Sequence, residues 1–192
     1  MIVVSDTTPL NYLILIDSVH VLSALFGKVY APTEVLKELS HPKSPKRVRQ
    51  WAEFPPEWLA VMTPAQIDAT LPKKLHRGEV EAISLARELR ATQTLIDDWD
   101  ARQTAKERNL HPIGTLNVLE EAACRDLIDI EQAVETLRKT SYWAIEEQYQ
   151  TTVENVRVRK LAQEQDQTIQ GPEQAAPQRE ATLDNELSKE HE

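Results

Sequence analysis

One cysteine in 192 residues, Cys124, excludes an intramolecular disulfide framework and a cysteine zinc cluster, and it fits a reducing cytoplasm. It reads as a small buried residue. Aromatic residues are scarce as well, at 5% against 41% hydrophobic overall, so an aliphatic core of helices packed on a sheet is expected. Long apolar runs are missing, and Met1 leads directly into a strand pattern with no basic segment ahead of an apolar one. Neither a signal peptide nor a membrane span is therefore expected, and the expectation is a soluble protein of the cytoplasm. Internal repeats are also lacking.

The net charge of -9 argues against a polyanionic partner until it is divided along the chain. From Leu161 onward eight acids face only Arg179 and Lys189, which accounts for -6 and leaves -3 for residues 1–160. A part so close to neutral can carry a basic face beside an acidic pocket. Beyond Leu161, Gln, Glu, Pro and Ala dominate and large apolar residues nearly vanish. The expected organisation is one domain over residues 1–160 and an acidic, disordered tail over residues 161–192.

Within the first part, strand and helix patterns alternate. Ile2-Val3-Val4 is an apolar run without alternation, as suits a strand covered on both faces, and Asp6-Thr7-Thr8-Pro9 stops it. Short strands are also expected at 28–31, 59–62, 94–96 and 110–113, with helices between them and three more at about 116–125, 130–139 and 141–160. Thr115 is a candidate N-cap for the first of these three. Alternation at this pace implies an α/β fold with a central parallel sheet of four to five strands and helices on both faces, a three-layer α/β/α sandwich.

The acids fall at particular places in that pattern. Asp6 follows strand one, Glu38 lies late in the helix after strand two, Glu79 and Glu81 open the helix before strand four, and Asp97, Asp98 and Asp100 follow strand four. Each has an ordinary structural role available, as an N-cap, a solvated helix residue or an acid favoured by a helix dipole. If strands one and four are neighbours, however, their carboxyl-end acids come within reach of one another. Clustered carboxylates repel, so such a group implies a divalent cation, and oxygen donors alone favour Mg²⁺ or Mn²⁺ over zinc.

Four short motifs, Val4 to Leu10, Gly78 to Ile83, Leu95 to Arg102 and Ile113 to Leu116, occur in an order and spacing that resemble the PIN-domain ribonucleases, and within them a VapC-like toxin branch. The resemblance covers about residues 1–155. It implies a PIN-like fold and a catalytic, metal-binding acidic quartet of Asp6, Glu38, Glu81 and Asp98. Glu81 is preferred to Glu79 because the acid followed by Ala matches the family pattern, and Asp97 is interchangeable with Asp98 as a ligand. Thr7, Asn11, Glu79, Arg102 and Thr115 are then supporting or substrate-contacting residues. The resemblance further implies Mg²⁺ or Mn²⁺ as cofactor, RNA as substrate, a cognate antitoxin protein and a homodimer, with no membrane partner. Lys43, Lys46, Arg47, Arg49, Lys73, Lys74 and Arg77 form the basic group available to grip RNA phosphates, unless they are simply a solvated surface.

Rival chemistries fit less well. A phosphatase with a strand-one Asp nucleophile needs an acid two residues on, where Thr8 stands, and a phosphorelay receiver needs a Lys after a late strand, where Ile113-Gly114-Thr115 stands. A catalytically inactive PIN-like module that binds nucleic acid or protein is the stronger alternative.

Overall fold

The computed structural model describes residues 1–169. Five parallel strands, β1 (Val3–Ser5), β2 (Val29–Pro32), β3 (Leu59–Met62), β4 (Gln93–Leu95) and β5 (Pro112–Ile113), form one sheet in the order β3-β2-β1-β4-β5. The chain starts in the middle of the sheet, fills one side, then crosses β1 to fill the other. Val4 of β1 therefore pairs with Tyr30 of β2 on one side and with Thr94 of β4 on the other. This reversal is the switch point where carboxyl-end loops part to leave a crevice.

Neighbouring residues of β1 bury into different cores, which is the structural signature of a strand covered on both faces. Val3 joins a larger core with α1 (Thr7–Leu15), α2 (Val21–Phe26), α3 (Thr33–Leu39), α4 (Lys46–Glu53), α7 (Thr115–Cys124), α8 (Ile130–Arg138) and α9 (Glu146–Ile169). Val4 joins a smaller core with α5 (Arg77–Glu88) and α6 (Trp99–Glu107). Leu95 and Ile96 divide in the same way. The α/β/α sandwich follows from this partition, and Cys124 lies buried in the larger core.

Local sequence explains several boundaries. Gly27 ends α2 in the left-handed region, at φ 71°, and its amide bonds Ser23. Thr115 does not cap α7. Gly114 holds that position, its amide donating to Asn117 Oδ1 at 3.0 Å, and the Thr115 side chain turns to Asp97 instead. The last helix begins at Glu146 rather than 141, because Thr140 to Ile145 form a link pinned by Tyr142. It also continues to Ile169, past the domain boundary expected at residue 160, since Leu161 to Gln165 are all good helix formers. The acidic stretch 170–192 lies outside the described residues.

Tyr149 and Val156 of α9 bury into the larger core, while Arg159 reaches Glu121 of α7 at 2.8 Å. The C-terminal helices thus complete the fold rather than append to it. Leu137, fully buried on α8, tests this directly. Leu137→Ala should lose about 2–5 kcal/mol of stability in urea denaturation, and Leu127→Ala, at a residue 37% exposed, should lose far less.

Candidate functional site

The carboxyl ends of β1 and β4 meet where the Asp6 amide bonds the Leu95 carbonyl at 2.9 Å. Asp6 occupies the N-cap position of α1, yet its side chain makes no capping hydrogen bond. With only 2% of its surface exposed, its carboxyl is raised from 3.8 to about 7. Burial is the main cause, the charges of Glu79 and Glu38 add to it, and the Thr7 and Thr8 amides offset part.

Glu38, half-buried at the end of α3, is held from two sides. The Thr7 hydroxyl donates to one carboxylate oxygen and the Gly78 amide donates to the other at 3.1 Å. Gly78 is required at that point because a Cβ there would lie 2.7 Å from Oε2 of Glu38. Asn11 stands half-buried one helical turn beyond Thr7 on α1.

Glu79 and Glu81 separate on α5. Glu79 is buried, closes the helix by accepting the His76 amide at 2.8 Å, and is raised by burial and then by the charges of Asp98 and Glu38. Glu81 is equally buried but accepts Arg77 Nε at 3.2 Å and the Glu34 amide at 3.4 Å. Two residues on a helix differ by about 200° in direction, so only one of such a pair faces the crevice. The charges of Glu79 and Glu38 act on Asp6, and those of Asp98 and Glu38 act on Glu79.

The adjacent aspartates after β4 differ as sharply. Asp98 is exposed and caps α6 through the Ala101 amide at 2.8 Å. Asp97 accepts the Thr115 amide at 2.8 Å, the Thr115 hydroxyl at 2.6 Å and the Tyr142 hydroxyl at 3.0 Å. Burial raises its carboxyl despite these donors and the nearby Arg102 charge. A Cβ on Gly114 would meet both Asp97 Oδ1, at 2.8 Å, and Arg102 Nη1, at 3.0 Å, so this corner is closely packed. Tyr142, forty-five residues beyond Asp97, carried no sequence signal for this role.

Among the described residues no ion pair engages Asp6, Glu38, Glu79, Asp97 or Asp98. Other acids near them are neutralised: Glu34 by Lys37 and Arg77, and Asp100 by Lys74. The oxygen-only donors and uncompensated charge suit a hard divalent cation. Among the described residues, however, no three His, Cys, Asp or Glu side chains converge as a ready set of ligands.

A family model described as a PIN domain matches residues 2–158. The chain belongs to the PIN-domain family. No curated protein and no solved structure matches it. Membership carries a nuclease type of function and nucleic acid as the substrate class, and PIN domains usually use divalent metals. Among the described residues no helix is long and apolar enough to cross a membrane.

The basic residues of this PIN domain are only partly available. Arg47 pairs with Asp17, Lys74 with Asp100, and Arg77 with Glu34 and Glu81. Arg49 is half-buried, its Nε without a hydrogen-bond partner. Lys43, Lys46 and Lys73 are exposed and outside every ion pair of the described residues.

The raised Asp6 carboxyl has a definite sign. With the folded value near 7 and the ordinary value 3.8, the fold binds a proton that the unfolded chain does not, so stability falls as pH rises from about 4 to 7. The fall is at most about 4 kcal/mol, and Glu79 adds to it in the same direction. Thermal melts in chelator should show wild type losing stability over that interval, and Asp6→Asn should flatten the profile and melt higher at pH 8. Gly78→Ala should leave the melting temperature nearly unchanged, because Ala favours a helix, but displace Glu38 and lower nuclease activity about tenfold or more.

Proposed function

We propose that this PIN domain is a divalent-metal-dependent endoribonuclease of the cytoplasm, the toxin of a VapC-like toxin–antitoxin pair, with RNA as substrate and an antitoxin protein and a second copy of the chain as partners. The observation that carries the reading is the Asp6 carboxyl, buried at the switch point, coupled to Glu38 and Glu79 and matched by no cationic side chain. The Thr7 and Thr8 amides offset only part of the cost of burying it, and no cation completes the balance, which leaves that place to a metal ion.

Asp6, Glu38, Glu79 and Asp98 are the residues that would hold Mg²⁺ or Mn²⁺. The bound cation supplies Lewis acidity toward a phosphate and lowers the pKa of an attacking water. Glu38, fixed by Thr7 and Gly78, would be the group to accept a proton from a water attacking the phosphate. Asp97 does not compete for these tasks, because its lone pairs serve Thr115 and Tyr142, which hold the end of β4 against α7. Thr7 orients Glu38, Asn11 lies one helical turn beyond it on α1, and Lys43, Lys46 and Lys73 supply phosphate contacts. A second reading, a module that binds without cutting, draws on the lack of a converged ligand set among the described residues.

Purified protein freed of any antitoxin should cut single-stranded RNA internally with Mg²⁺ or Mn²⁺ and stop in chelator, and Asp6→Asn should lose at least about 100-fold in rate. Glu79→Gln should lose as much, whereas Glu81→Gln should retain most activity; the opposite order would return the third acid to Glu81. Cleavage that persists undiminished in Asp6→Asn marks a contaminating nuclease. No cleavage of varied RNAs by wild type would leave the binding-module reading in place.

A further inference from the structure

The four tryptophans divide into two kinds. Trp51 and Trp58 pack on the larger core with ring centroids 6.1 Å apart. Trp99 and Trp143 instead stand 71% and 82% exposed. Single exposed apolar side chains are ordinary, but these two are the largest exposed ones among the described residues, and each directly follows a residue at the end of β4 or one bonded to it. Trp99 is the first residue of α6, directly after the cap Asp98. Trp143 directly follows Tyr142, whose hydroxyl bonds Asp97. Residues 97 and 98 therefore anchor the backbone next to both tryptophans.

Both also stand on anchored backbone. Trp99 is held by the capped first turn of α6. Trp143 sits beside Tyr142, whose ring packs edge-on against Tyr12 at 4.9 Å and against Tyr149 at 6.5 Å. A rigidly presented indole loses little entropy when a flat ring settles on it. Cationic charge lies in the segment that meets α6, since Asp100 in its first turn holds Lys74 Nζ at 2.6 Å and the exposed Lys73 precedes Lys74 in the chain.

Exposed aromatic faces next to cationic side chains are the elements by which single-stranded nucleic acids are held without sequence reading, bases stacking on the rings while phosphates meet the cations. We propose that Trp99 and Trp143 are base-stacking platforms for single-stranded RNA bound at the acidic site, Trp99 following its member Asp98 and Trp143 following the tyrosine that holds the adjacent Asp97. The proposal rests on the ribonuclease reading above. It implies a preference for single strands, because bases stacked inside a duplex cannot reach an indole face.

The test is binding of fluorescein-labelled oligouridine, followed by anisotropy in chelator so that the probe stays intact, with an abasic oligomer of equal length as comparison. Trp99→Ala and Trp143→Ala should each weaken oligouridine binding about tenfold, within the range expected for one stacked base, and should scarcely change binding of the abasic oligomer. Trp→Phe at either position should keep most of the affinity. Phe54→Ala removes an even more exposed ring, at 84%, from the connection that feeds the amino end of β3, and should have no effect. Melting temperatures equal to wild type show that the variants fold. Unchanged oligouridine affinity in both alanine variants, or an equal loss for the abasic oligomer, overturns the stacking proposal while leaving the ribonuclease reading intact. Wild type that binds neither probe overturns both.

Discussion

The constraint on which the rest depends is the burial of the Asp6 carboxyl at the end of the central strand, among other acids and without a basic partner. Such a group opposes folding when ionised, so it persists only where the surrounding packing is sufficient to hold it. The aliphatic layers on either side of β1 supply that packing. Val3 and Val4, both wholly buried, fix the strand from opposite faces and so hold Asp6 at its end.

Around Asp6 the acids divide into those that build the site and those left to act in it. Asp97 has three donors and joins β4, α7 and the link before α9 into one corner. Glu81 is matched by Arg77 and by the Glu34 amide, which ties α5 to the start of α3. Glu38 is oriented without being neutralised, since its donors are a neutral hydroxyl and a backbone amide. Asp6, Glu38, Glu79 and Asp98 are therefore left without an ion pair among the described residues. Such uncompensated charge is a common feature of functional sites.

The two close glycines show how narrowly this is arranged. Gly78 and Gly114 are not needed for turns at positive φ; each is small because a carboxylate occupies the place of its missing Cβ. One gives Glu38 its amide, and the other lets Asp97 and Arg102 approach the start of α7. The C-terminal helices contribute in the same manner, since Tyr142 reaches back to Asp97 across forty-five residues and packs on Tyr12 of α1.

Sequence alone determined the alternation of apolar strands with amphipathic helices, the parallel sheet with both faces covered, and the presence of acids after β1, in α3, at the start of α5 and after β4. These are properties of local pattern, read from periods of two and 3.6 residues and from the polar residues that interrupt them. Motif order was enough to suggest the PIN family. What the sequence left open was which member of each close pair faces the crevice. Glu79 and Glu81, and Asp97 and Asp98, have nearly the same composition around them, and their difference comes from helix phase and from partners distant in the chain. The partners that separate them, Arg77 with Glu34 for one pair and Thr115 with Tyr142 for the other, arrive only when α5 packs on α3 and the C-terminal link closes over β4. Hydrogen bonding and desolvation depend on those contacts across the chain, so the surroundings of each acid were decided by the tertiary structure.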